Sequence, residues 1–256
     1  YKFINNFFDK ITATEDAMTA IDATLPKKER ILIAAEDVFS RRGYAKATLD
    51  EIIGLADTGK GTLYKYFGNK DNLFYTLIDD KHKQLMQTLE NEIGAKTDIA
   101  DKMRAYLLIM VQFLRANKGL WLIVWYELNA SHQGIHPDFD ENGNWTLTSL
   151  YGDKLAKAEE ERLLRYYKIL WEEVFVLARI LQDGQDSGFL KVTSSIEIKI
   201  LPDTVGNLTT EAVFGAFHLF AGIANGVFHV IDSRIDDKEL TETVVDYFLN
   251  GHAAQK

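Results

Sequence analysis

The sequence predicts an all-α protein: a small basic head of three short helices near its N-terminal end, and a larger helical body behind it. Three observations carry this. The 256 residues include only three prolines and are rich in Ala, Leu, Ile, Glu and Lys, a composition that favours helices over sheets. Apolar residues recur at three- and four-residue intervals through most of the chain, the signature of amphipathic helices. Charge is unevenly divided. The formal net charge is −9, yet Pro26 to Lys70 holds nine basic and six acidic residues, a local +3 that leaves −12 for the remainder. A basic head on an acidic body concentrates attraction for phosphates at one end.

The composition also excludes several classes. At 46% hydrophobic and 26% charged, the chain has the balance of a soluble globular protein. It has no cysteine, so disulfide frameworks, thiolate chemistry and Cys-ligated metals are out, which fits a cytoplasmic location. No apolar run approaches the ~20 residues of a membrane span, so none is expected; the densest, Leu120 to Tyr126, is far shorter and reads as buried helix. No secretory signal pattern is visible. The chain opens at Tyr1 rather than Met, so the numbering is expected to start inside the gene product.

In order along the chain, Phe3, Ile4, Phe7, Phe8 and Ile11 have helical spacing, and Thr14-Glu15-Asp16 resembles a capped start. Residues 1–25 are therefore an expected N-terminal helical arm, closed by Pro26. Residues 27–42 place Ile31, Ala34, Ala35, Val38 and Phe39 on one stripe, and Gly43 is expected to end that helix in a left-handed cap. Thr48 with Glu51 three residues on is a capping box, opening a short helix that buries Ile52, Ile53 and Ala56. Residues 60–66 form the next helix. Gly68-Asn69 breaks it, and Asn69 can cap a long helix from Lys70 to about Ile93. Beyond Gly94, helices are expected near 98–116, 119–132, 153–187, 208–232 and 237–250. Residues 133–152, rich in Gly, Asn and Asp, read as loop or as a hairpin about Asn142-Gly143. Residues 189–207 are ambiguous: Ile196 to Ile200 alternates like a strand, but Pro202 and Gly206 limit it.

The segment 48–70, TLDEIIGLADTGKGTLYKYFGNK, has the layout of a helix-turn-helix that reads the DNA major groove. Its second helix is too short to persist alone in water, but Leu63 and Phe67, four apart, can anchor it on Ile52, Ala56 and Phe39. That leaves Lys60, Gly61, Thr62, Tyr64, Lys65 and Tyr66 for other contacts. Lys60 and Thr62, near the helix start, are candidates for base edges, since a lysine can donate to guanine O6/N7. Gly61 allows close backbone approach to a phosphate. Tyr64, Tyr66 and Lys70 are candidates for phosphate contacts that set register. Thr48 caps a helix whose first amides can face a phosphate, and Lys46 and Lys65 complete the candidate set. The bland alternative is a helical hairpin with a solvated basic face.

The ordered set Ile31, Ala34-Ala35, Phe39, Gly43-Tyr44, Thr48, Ile52, Ala56, Lys60-Gly61-Thr62-Leu63-Tyr64-Lys65-Tyr66-Phe67 and Lys70 closely resembles the N-terminal domain of TetR-type transcriptional regulators, over roughly residues 28 to 75. The resemblance implies a DNA-binding domain at 26–70 and an all-helical ligand-binding and dimerisation domain at 71–256. Its partners would be double-stranded operator DNA, a small-molecule effector and a second copy of the chain, with no membrane and no cofactor. It also implies a repressor released from a palindromic operator by an apolar or aromatic effector. One stretch departs from the pattern. The family usually has Gly-Val-Ser where this chain has Asp57-Thr58-Gly59, which predicts an altered turn and weaker non-specific affinity. Gly59 would replace serine as the helix cap, or Asp57 or Thr58 would do so if the helix starts a residue early.

In the body, Tyr106, Met110, Phe113, Trp121, Trp125, Tyr126, Tyr167 and Trp171 are the candidate ligand-binding residues. Aromatic stripes are more often core than pocket; the resemblance is what suggests a cavity among these helices. Phe214, Phe217, Ala221, Ala224 and Phe228, on a helix with several small residues, are the candidate dimer interface. Intrachain core is the competing use of that face. Asp138, Asp140 and Asn142 match the start of a calcium loop, but Ser149 stands where a bidentate Glu is needed, so no metal site is expected beyond that weak candidate. No nucleophile motif, phosphate loop or HExxH appears, so the chain is not expected to be an enzyme. The alternative reading is a helical small-molecule-binding protein or enzyme with a vestigial DNA-binding head.

Overall fold

The helical periodicity becomes nine α-helices and one hairpin among the described residues of a computed structural model. Those residues are 21–129, 134–140, 144–152, 154–191, 208–230 and 234–252. The helices expected at 3–11 and 14–22 fall almost wholly outside them, as do most of the ambiguous 189–207 stretch and the Asn142-Gly143 tip. The described chain divides into two compact units, one holding residues up to Leu85 together with 116–127, the other holding 86–115 and everything from Leu128 onward.

In the first unit, α1 (Lys27–Lys46) buries the stripe Ile31, Ala34, Ala35, Val38 and Phe39, with Arg30 beside it. The helix was expected to end at Arg42. Gly43 does take the left-handed region, with φ of 71°, which glycine adopts without a Cβ penalty. Helical bonding nevertheless resumes after this kink and runs to Lys46, where the Ala47 amide donates to the Gly43 carbonyl at 3.2 Å.

Thr48 then forms the expected capping box for α2 (Leu49–Leu55). Its Oγ1 accepts from the Glu51 amide at 3.2 Å, and Glu51 Oε2 accepts from the Thr48 amide at 3.3 Å. Next, α3 (Lys60–Phe67) sinks Leu63 and Phe67 into the core alongside Ile52 and Ala56. Asn69 Oδ1 accepts from the Asn72 amide at 2.8 Å, capping α4 (Lys70–Gly94) as its sequence suggests.

An aromatic cluster ties α1 to α4: the Phe74 ring lies edge-on to Phe39 at 4.9 Å and to Tyr44 at 5.2 Å. Lys81 Nζ adds an ion pair to Glu36 at 2.7 Å. The unit is completed by most of α6 (Lys118–Asn129). Its second residue, Gly119, passes so close to α1 that a Cβ there would sit 2.8 Å from Ser40 Cβ and 2.9 Å from Ser40 Cα.

In the second unit, α5 (Ile99–Ala116) and α7 (Lys157–Asp186) share a core of Met103, Tyr106, Met110, Phe113, Leu163, Tyr166, Val174 and Leu177. Buried Tyr106 donates from its hydroxyl to the Glu173 carbonyl at 2.9 Å. The expected hairpin is present: β1 (Ile135–Phe139) pairs antiparallel with β2 (Trp145–Ser149), Ile135 opposite Ser149 and Phe139 opposite Trp145. Thr209 caps α8 (Thr210–Asn225) through the Ala212 amide at 3.2 Å, and a single π-type turn, Gly226–Val230, follows. Asp236 caps α9 (Asp237–His252). Arg115 pairs with Asp237, and Arg104 reaches Glu242 at 2.8 Å, fastening α9 to α5.

One expectation needs correcting. Among the described residues, the run Thr210–His229 is long and apolar enough, by length and composition, to cross a membrane. Glu211, His218, Asn225 and His229 interrupt this run in the sequence. Its inner face, Ala212, Val213, Ala216, Phe220, Ile223 and Ala224, is buried.

Candidate nucleic-acid interface

Burial of Leu63 and Phe67 decides what α3 offers to solvent. Two side chains four apart fix one face of a short helix, so the other residues must point away. Lys60, Gly61, Tyr64, Lys65 and Tyr66 are exposed, and Thr62 is half-buried. Lys46 is exposed at the last position of α1, and Thr48 at the cap of α2. Lys70 opens α4 with its Nζ 4.5 Å above the Tyr44 ring, a cation–π contact. Burial there pulls the Lys70 ammonium below its ordinary pKa, against the opposing pull of Asp71. The Tyr44 hydroxyl in turn donates to Asp71. All nine candidate residues thus lie on the first unit.

The turn between α2 and α3 resolves the departure at 57–59. Asp57 has φ of 46°, and aspartate is one of the few non-glycine residues that tolerate the left-handed region. It stands where the resemblance expects glycine. Its carboxylate reaches back to the otherwise buried Arg30, Oδ2 to Nη1 at 3.6 Å. Neither Asp57 nor Thr58 caps α3. Gly59 is the cap residue, with no side-chain hydrogen bond, so the first amides of α3 are left without a side-chain acceptor of that kind.

Sequence reasoning missed how acids engage the basic residues of the head. Asp50, in the first turn of α2, has Oδ1 3.5 Å from Lys60 Nζ. Glu51 Oε1 lies 3.1 Å from Arg42 Nη2, and Asp37 pairs with Arg41. The Arg41 pair was readable as an i,i+4 spacing. The other two required knowing that the turn folds α2 back beside α1 and α3.

The body candidates do not gather in one unit. Trp121, Trp125 and Tyr126 belong to the first; Tyr106, Met110, Phe113, Tyr167 and Trp171 belong to the second. Trp121, Tyr106, Met110 and Phe113 are buried, Trp125 is half-buried, and Tyr126 is 59% exposed. The Tyr167 hydroxyl donates to the Leu128 carbonyl at 3.2 Å. Burial pushes both the Tyr106 and the Tyr167 hydroxyl above the ordinary tyrosine pKa. Trp171 sits in a ladder of rings, 6.2 Å from Trp145, 5.6 Å from Phe175 and 5.4 Å from Phe217.

Of the interface candidates on α8, Phe214 is exposed and Phe217 and Ala221 are half-buried. Ala224 and Phe228 are buried within the chain itself. In the loop, Asp138 is a strand residue opposite Thr146. Asp140 accepts from the Asn144 amide at 2.8 Å and from its side chain at 3.1 Å. Asn142 lies outside the described residues. No cluster of three potential metal ligands occurs among those described.

Residues 31–76 match the family model described as bacterial regulatory proteins, tetR family. The head is therefore of the tetR type. Over 116 residues it is 26% identical to the fatty acid metabolism regulator protein of Bacillus subtilis, covering 45% of this chain and 60% of that one. The tetR fold extends well past the matched head. The fatty acid degradation regulator FadR from Bacillus halodurans superposes with a TM-score of 0.62 at 19% identity, over 90% of this chain and 98% of its own. FadR from Bacillus subtilis, in complex with stearoyl-CoA, gives 0.61 at 19% identity, over 87% and 98%.

Proposed function

We propose that this chain is a cytoplasmic, homodimeric transcriptional repressor of the tetR family that binds operator DNA through α3 and is released by a small apolar or aromatic effector. The single observation that carries the reading is the presentation of α3. Leu63 and Phe67 are buried, which leaves Lys60, Tyr64 and Tyr66 exposed and Thr62 half-buried beside them. Lys60 and Thr62 read base edges, while Tyr64, Tyr66, Lys70 and the amides at the Thr48 cap hold phosphates. The chain works by binding rather than by catalysis.

Two copies are needed to read a palindrome, whose half-sites lie about 34–36 Å apart. The outer face of α8, with Phe214, Phe217 and Ala221, supplies the dimer contact. An effector that favours a state with the wrong spacing between the two α3 helices releases the DNA. FadR of Bacillus subtilis was solved with stearoyl-CoA, which makes a long-chain acyl-CoA the first effector to test.

The test is selection from a random-sequence duplex library followed by binding titrations. Lys60→Ala is expected to relax base preference at one position. Lys70→Ala is expected to weaken binding to all sequences and to flatten the salt slope by roughly 0.9. Unchanged binding to the selected duplex in both variants removes the assignment.

A further inference from the structure

We infer that Asp50 restrains Lys60 at the DNA interface: it holds Lys60 in an internal ion pair that any DNA contact of Lys60, to a phosphate or to a base edge, must first break. The inference rests on the DNA-binding reading of α3. Asp50 Oδ1 lies 3.5 Å from Lys60 Nζ, and the two side chains are 80% and 63% exposed. The pair sits on the surface that α2 and α3 present together, rather than in the core. Asp50 lies in the first turn of α2, where the positive end of the helix dipole favours a carboxylate.

The candidate base-reading lysine therefore starts out beside a negative charge. Its neighbourhood carries little net charge, and it adds little to the attraction for phosphates that drives non-specific binding. Breaking an exposed ion pair costs at most roughly fivefold in equilibrium, whereas a well-placed base contact is worth roughly five- to 150-fold. A matched base edge can afford the exchange. A phosphate, which offers Lys60 another oxyanion while bringing its own charge toward Asp50, gains much less. Asp57, the carboxylate of the preceding turn, lies 3.6 Å from Arg30 Nη1.

The test uses the full chain as wild type, Asp50→Asn, Lys60→Ala and the double variant. Each is titrated against a random-sequence duplex and against the duplex that the wild type enriches from a random library. Asp50→Asn is expected to bind the random duplex tighter by about two- to fivefold, with a salt slope steeper by roughly 0.9. Its affinity for the enriched duplex, where Lys60 must leave the pair, rises at least as much, by up to about fivefold. The gain on random DNA disappears when Lys60 is alanine. No change on either duplex, a gain confined to the random duplex, or a gain that survives in the Lys60→Ala background overturns the inference while leaving DNA binding intact. A wild type that enriches no sequence overturns the DNA-binding reading, and this inference with it.

Discussion

The smallest residue on the first unit makes one of its tightest contacts. A Cβ on Gly119 would lie 2.8 Å from Ser40 Cβ and 3.1 Å from the Ser40 carbonyl oxygen, and backbone on both sides limits relaxation. Gly119→Ala is therefore expected to destabilise the protein by about 1–3 kcal/mol, the usual range for overpacking, even though alanine is the better helix former. Urea unfolding checks this, and Ser40→Gly should restore part of the loss. A neutral or stabilising Gly119→Ala would mean that α6 shifts freely against α1. Individual residues were legible where their reason was local. The Thr48–Glu51 capping box and the Leu63–Phe67 anchor rest on spacings of three and four, which sequence displays directly. Gly119 with Ser40, Arg30 with Asp57 and Lys60 with Asp50 each join different helices, and no periodicity encodes those meetings.

At the scale of elements, every helix predicted within the described residues is present, because apolar stripes of helical period must be buried somewhere. Their ends moved by a few residues where a kink such as Gly43 allowed bonding to resume. What the body helices do was less legible, since a stripe of aromatics has the same spacing whether it fills a core or lines a pocket. Tyr106 illustrates this. Predicted as a ligand contact, it is fully buried, and its hydroxyl is spent on the Glu173 carbonyl of α7. That burial has a pH consequence for the α5–α7 pairing. The Tyr106 pKa is raised well above its ordinary 10.0, chiefly by desolvation and secondarily by Glu173. The unfolded chain therefore releases this proton at lower pH than the folded one. Stability is full below about pH 10 and falls as pH rises toward the folded-state value. Thermal unfolding measured upward from pH 9 should show this fall, and Tyr106→Phe should have a shallower one. Identical alkaline slopes would remove Tyr106 as the cause, leaving Tyr167, whose burial shifts it in the same direction.

At the scale of the whole molecule, the head is not a continuous stretch of chain. Residues up to Leu85 and residues 116–127 make one compact unit, with 86–115 belonging to the other. The sequence suggested a boundary at Lys70 because the helix-turn-helix pattern stops there, and nothing in α6 advertises a bond to a segment some eighty residues earlier. A fragment covering 21–85 keeps every candidate DNA contact but lacks Leu120, Trp121 and Val124, all buried. It is expected to melt broadly and early by circular dichroism. A sharp transition like that of the full chain would show that α6 is dispensable. The same discontinuity bears on how the protein is made. Residues of the head leave the ribosome first, yet their last partners arrive only after the intervening thirty residues have been synthesised. Closing that loop carries an entropic cost, and chains elongate at roughly 5–20 residues per second. For some seconds in each round of translation, then, an incomplete head carries its full set of lysines with one flank of α1 bare. Its DNA-binding surface exists before the segment that steadies it.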